Sequence, residues 1–132
     1  MYEVIKLKTD YMTVTDVTDK VKAIVKKSGV KNGICVIFNA HTTAAVGIAT
    51  KEEAAQRDFQ ADLDRIFPLR ANYNHVETPF DAAGHVKCVV VGVDVTPIIK
   101  DGELDLGDDQ AILFYEFDGP RPRELHVKCY GK

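Results

Sequence analysis

Ile34-Cys35-Val36-Ile37-Phe38 is an uninterrupted apolar run, entered through Lys31-Asn32-Gly33 and left at Asn39. A run of this length between turn residues reads as a strand buried on both faces, so the chain must wrap the rest of its sheet around it. The residues that follow, Ala40-His41-Thr42-Thr43, put an imidazole and two hydroxyls where that strand emerges. They make poor core and good site material. Ala44 to Ala49, small-sided and containing Gly47, fits a further strand or a close backbone approach.

The remaining elements follow from periodicity. Tyr2 to Lys8 alternates as a strand, with Val4 and Tyr2 as its inward side, and Tyr11 to Thr15 is a short second one. Asp16 is placed to cap a helix whose apolar positions are Val17, Val21, Ile24 and Val25, with Lys26 and Lys27 in its last turn and Gly29 as its stop. Thr50-Lys51-Glu52-Glu53 has the form of a capping box. It opens a helix bearing Ala55, Phe59, Leu63 and Ile66 on one face and ending at Pro68. Leu69 to Gly84, which includes Tyr73-Asn74-His75 and Thr78-Pro79, shows no periodicity and reads as a long loop.

From His85 to Val93 the pattern returns to a strand, with His85, Lys87, Val89 and Val91 on one side. Asp101-Gly102 joins two short strands as a hairpin. Gln110 to Phe117 is a long apolar strand. After the turn Asp118-Gly119-Pro120-Arg121-Pro122, Arg123 to Tyr130 alternates with Leu125, Val127 and Cys129 inward. The expected architecture is therefore α+β: a single domain over residues 1–132 with one curved, mostly antiparallel sheet, two main helices and seven or eight strands.

Charge narrows the function classes. With 17 Lys+Arg against 20 Asp+Glu the net charge is −3, which argues against broad electrostatic binding to nucleic acid or to an acidic membrane. No apolar run approaches the ~20 residues that span a bilayer, and the first residues lack the apolar centre of a signal peptide. A cytoplasmic location is expected. The three cysteines form no Cys-x-x-Cys pair and read as buried, reduced thiols.

His41, His75 and His85 are the candidate metal ligands: three imidazoles with an open position can hold a divalent cation and activate water. Surface or core histidines would read the same way. Thr42 and Thr43 can donate to a phosphate or carboxylate, although threonine pairs are also common in strands. Arg121, on a rigid turn, is a fork for an anion or a partner in a surface ion pair. Glu116 interrupts an apolar strand on the face of Ile112 and Phe114; if buried, it is a candidate base or a group supporting metal ligands. His126 falls on the outward face of the last strand. No Walker loop, Gly-x-Gly-x-x-Gly, Gly-x-Ser-x-Gly or His-Glu-x-x-His occurs.

Four segments, in order, resemble the YjbQ family across nearly the whole chain: His41-Thr42-Thr43-Ala44-Ala45-Val46, Gly84-His85, Asp101 to Gly107, and Glu116-Phe117-Asp118-Gly119-Pro120-Arg121. Tyr73-Asn74-His75 is similar to the family's tyrosine–histidine segment. The resemblance implies a homotrimer with sites near subunit boundaries and a histidine-lined pocket that takes a divalent metal, zinc or magnesium. It further implies a secondary thiamine-phosphate synthase, joining hydroxymethylpyrimidine diphosphate to a thiazole phosphate. In that reading His41 and Glu116 are catalytic, Thr42, Thr43 and Arg121 bind the small phosphorylated molecule, and His41, His75 and His85 hold the metal. The alternative is a metal- or phosphate-ligand-binding protein without turnover. The chain departs from the family pattern at Ala49-Thr50, at Asp108-Asp109 and at Asp81-Ala82-Ala83-Gly84-His85.

Overall fold

The computed structural model describes residues 1–69, 71, 73–75 and 81–132; Thr78-Pro79 lies outside them. In chain order the elements are β1 (Tyr2–Lys8), β2 (Val14–Asp16), α1 (Thr18–Ser28), β3 (Asn32–Asn39), β4 (Ala44–Thr50), α2 (Glu53–Ile66), α3 (Asp81–Val91), β5 (Asp94–Val95), β6 (Ile98–Lys100), β7 (Glu103–Leu104), β8 (Gln110–Glu116) and β9 (Pro122–Gly131). The expected α+β class with a curled antiparallel sheet is what forms. One ladder runs β1-β9-β3-β6-β7, with β5 also on β3, and the other runs β2-β8-β4.

The principal core lies between the inner faces of the two ladders and α1. Ile5 and Leu7 of β1, Cys35 and Ile37 of β3, and Leu125, Val127 and Cys129 of β9 meet Val21, Ile24 and Val25 of α1 and Ile112 and Phe114 of β8. A second cluster lies across the smaller ladder, where Leu63 of α2 packs with Ala45, Leu113, Tyr115 and Phe117. The strand covered on both faces is therefore β8, all of whose residues after Gln110 are buried. β3 alternates instead, leaving Ile34 at 40% and Phe38 at 42% exposure. No element of the described chain covers that outer side, so an apolar run did not mean double burial. β1 has the opposite register from the one expected: Ile5 and Leu7 point inward, and Tyr2 is exposed.

Helix ends show how local chemistry sets the frame. Asp16 stands one residue before the N-cap of α1, Val17, and its Oδ1 accepts from the Thr18 N–H at 2.9 Å and the Thr18 hydroxyl at 2.6 Å. The same hydroxyl oxygen accepts the Ile112 N–H at 2.8 Å, tying α1 to β8. Gly29 ends the helix at φ +72°, as a residue without a side chain does readily. The capping box on α2 does not form. Thr50 stays in β4, paired with Gln110, and its hydroxyl accepts the Glu52 N–H at 3.2 Å, while the cap itself is Glu52. Of the expected apolar face of α2 only Leu63 is buried; Phe59 and Ile66 are exposed.

The largest correction concerns residues 85–91. They are helical, within α3, and not a strand. The β-branched run Val89-Val90-Val91 favours a strand by propensity, but tertiary packing decides here. Asp81, Ala83, Gly84, Lys87 and Cys88 are buried along one helical face, and Val89 and Val90 face out. His85 and Lys87 consequently do not share a face.

Candidate functional site

The polar loop after β3 is held by Asn39, which is 1% exposed. Its Oδ1 accepts the His41 N–H at 3.1 Å, and its Nδ2 donates to the carbonyls of Ala44 (2.7 Å) and His41 (3.3 Å). The amide thus folds the loop back on itself, keeping a buried side chain satisfied. Beneath the loop, Glu116 at the end of β8 and Arg123 on β9 form a two-point ion pair. Arg123 Nη2 also donates to Thr43 Oγ1 at 2.9 Å. Thr9 Oγ1 donates to Glu116 Oε1, and the Asp118 N–H to Glu116 Oε2 at 3.0 Å.

A cavity of about 350 Å³ opens above this pair. The loop contributes His41, Thr42 and Thr43; α3 contributes Asp81 and His85; the last turn and β9 contribute Asp118, Arg121 and Arg123. Five residues singled out by sequence therefore converge: His41, Thr42, Thr43, His85 and Arg121. Arg121 holds Asp118 through Nη2 at 2.8 Å and Nε at 3.0 Å and is half-exposed. A groove of about 440 Å³ between α1 and the β6–β7 hairpin is larger, but it is lined by Lys22, Lys26, Lys31, Asp101 and Glu103 and holds no histidine.

Among the described residues His75, Asp81 and His85 bring one nitrogen or oxygen each to within 4.8 Å of one another. His75 Nε2 is 2.9 Å from Asp81 Oδ2, and the two imidazole rings meet edge to face with centroids 4.8 Å apart. Two imidazoles and a carboxylate form a donor set suited to zinc or a similar ion. Ligand atoms around such an ion stand roughly 3.3 Å apart, a small side-chain rotation from the observed spacing. His41 is outside this group. Its Nε2 accepts the Glu124 N–H at 3.0 Å.

Electrostatics separate the two halves of the site. Burial lowers the His41 pKa, and the Arg123 charge lowers it further, against smaller opposing contributions from Glu116 and Glu124. The imidazole is accordingly neutral near pH 7. Burial alone would raise the Glu116 carboxyl, but the bonds from Arg123, Thr9 and the Asp118 amide outweigh it and hold the group below the usual carboxylate range. Glu116 is fully enclosed and remains ionised.

Sequence reasoning missed Asp81 and Arg123 as site residues, and read Asp118 only as part of a turn and of the family segment. Arg123 occupies the same inward register as Leu125, Val127 and Cys129, so a charged residue at a core position was the available signal. Asp81 lay in a segment read as loop, and only its helix places it beside His75.

A family model described as "UPF0047 protein YjbQ-like" matches residues 3–132. The chain belongs to the YjbQ family. A UPF0047 protein of Methanocaldococcus jannaschii is 41% identical over 117 residues, covering 88% of this chain and 83% of that protein. One from Methanothermobacter thermautotrophicus is 35% identical, covering 89% and 82%. A crystal structure of a YjbQ-like protein of unknown function from Sulfolobus solfataricus superposes with a TM-score of 0.96 at 31% identity, covering 100% of this chain and 97% of that one. A YjbQ/UPF0047 structure from Clostridium acetobutylicum gives 0.90 at 37%, covering 97% and 99%. The half-barrel, three-helix arrangement is thus shared by YjbQ proteins.

Proposed function

We propose that the cavity takes a small phosphorylated molecule together with a divalent cation, and that the chemistry is that of a secondary thiamine-phosphate synthase. One observation carries this reading: an imidazole–carboxylate group and an arginine turn face the same cavity, joined by His85 and Asp81. His75, Asp81 and His85 would hold the cation, which when bound offsets charge on a leaving diphosphate. Arg121 and the Thr42 hydroxyl are exposed enough to meet phosphate oxygens, while Arg123, its charge matched by Glu116, holds Thr43 in place below.

In the reaction a thiazole nitrogen forms a bond to the pyrimidine methylene carbon as the C–O bond to diphosphate breaks. The protein's part is to align the two and stabilise the departing charge. Neutral His41, whose Nε2 already accepts the Glu124 N–H, has its Nδ1–H to donate to an oxygen of the departing diphosphate. Glu116 acts by fixing Arg123 and Thr43, since its oxygens are occupied and shielded.

The second reading is ligand binding without turnover, favoured by the departures at Ala49-Thr50 and Asp108-Asp109. Incubating the protein with both substrates and magnesium separates the two. Thiamine phosphate above the protein-free rate supports the synthase. None at any protein concentration, with pyrophosphate still bound, leaves the binding reading. Assembly as a homotrimer is part of the same proposal, supported by the uncovered outer side of the larger ladder, where Tyr2, Ile34, Phe38, Ile98 and Tyr130 are exposed.

A further inference from the structure

We infer that Lys87 is a positioning residue for the His75–Asp81–His85 group, holding α3 at the rotation that turns Asp81 and His85 toward the cavity; this rests on the cation reading above. The Lys87 side chain is 0% exposed and among the largest fully buried side chains in the protein. Lysine is almost never enclosed without a partner. Here Nζ donates to Asp64 Oδ1 on α2 and stands 5.8 Å from the centre of the Phe117 ring.

A second attachment lies one turn earlier on α3. A Cβ added at Gly84 would stand 3.1 Å from the Phe117 carbonyl oxygen and 3.3 Å from Thr43 Cβ. Phe117 and Thr43 are themselves joined, the Phe117 N–H donating to the Thr43 carbonyl at 3.1 Å. Gly84 therefore sets how closely α3 approaches the floor of the cavity, and Lys87 sets its roll by reaching one fixed point on α2. Asp81 precedes these attachments by a turn, and His85 lies between them in sequence.

The magnitudes show why roll matters. A ligand atom about 6 Å from a helix axis moves about 1 Å when the helix rolls by about 10°. Metal sites tolerate only about 0.2 Å in ligand distance. Packing does not require a lysine here: methionine matches most of the stem's length, and Asp64, 47% exposed, stays solvated once the ammonium is gone, so no enclosed lone charge is left. The ammonium adds direction, which methionine does not supply.

Cobalt(II) titration of the full chain, followed by visible absorption, tests this in the wild type, Lys87→Met and Asp64→Ala. Both variants are expected to bind cobalt roughly tenfold more weakly and to shift its absorption band, with the Lys87→Met melting temperature unchanged or higher. Asp64→Ala leaves the enclosed Lys87 ammonium without its carboxylate, so that variant is expected to melt lower and is titrated well below its midpoint. It reads the same ion pair from the α2 side should Lys87→Met fail to fold. Wild-type binding with both variants matching it in affinity and spectrum overturns the role of Lys87 alone. No cobalt binding by the wild type overturns the cation reading and this inference with it.

Discussion

Arg123 and Glu116 face each other as a nearly enclosed ion pair, Nε to Oε1 at 2.7 Å, with side chains 4% and 0% exposed. Through Thr9, Asp118 and Thr43 the pair ties β9 and β8 to the segment after β1 and to the His41 loop. Removing one member leaves the other charged and unsolvated. Arg123→Ala is expected to cost about 3–5 kcal/mol, read as a lower urea midpoint. The double change Glu116→Gln with Arg123→Met is expected to cost less than Arg123→Ala, because no lone charge remains.

Acid should weaken the fold in two stages. His41 is shifted below its ordinary 6.5, so the unfolded chain takes up this proton first; the contribution is full above that value and falls as pH drops from it toward the folded pKa. Glu116 is shifted below its ordinary 4.5, and its contribution is lost as pH falls from there through the folded pKa. Melting temperatures measured from pH 8 to 3 are expected to decline in both windows. His41→Gln should remove the upper decline and keep the lower.

Arg121 offers a cleaner probe of ligand binding. Its guanidinium is half in solvent while the partner Asp118 is enclosed, so Arg121→Lys, which keeps a charge beside the carboxylate, perturbs the fold least. Arg121→Lys should leave the melting temperature nearly unchanged while weakening pyrophosphate binding roughly tenfold by calorimetry, because the two-pronged fork is lost. Equal affinity in the variant would remove the Arg121 fork from the site.

The outer side of the larger ladder bears on assembly. Phe38 and Ile34 are over a third exposed, and Tyr2 stacks on His126 with ring centres 5.9 Å apart. On the trimer proposal, Phe38→Glu should alter monomer folding by only about 0.5 kcal/mol yet shift the mass measured by light scattering from trimer toward monomer. An unchanged mass would mean that this side is not the interface.

Much of the site was legible because its residues sit beside strong local signals. His41, Thr42 and Thr43 follow a clear strand, Arg121 lies in a Gly-Pro turn, and Glu116 breaks an apolar run. Less legible was whatever depends on contacts between distant segments. Val89-Val90-Val91 speaks for a strand locally, and only burial along Gly84, Lys87 and Cys88 makes it a helix. That helix brings Asp81 to His75 and encloses Lys87, which no local pattern indicates. The apolar run of β3 and that of β8 look alike as sequence, and the position of α2 and α3 over the smaller ladder alone distinguishes them.

On the proposal above, His75, Asp81 and His85 hold a divalent cation beside the arginine turn. Crystals grown with zinc and measured on either side of the zinc absorption edge test it most directly. An anomalous peak bounded by those three side chains is the predicted result. No peak there, or a peak at His41 alone, would contradict it.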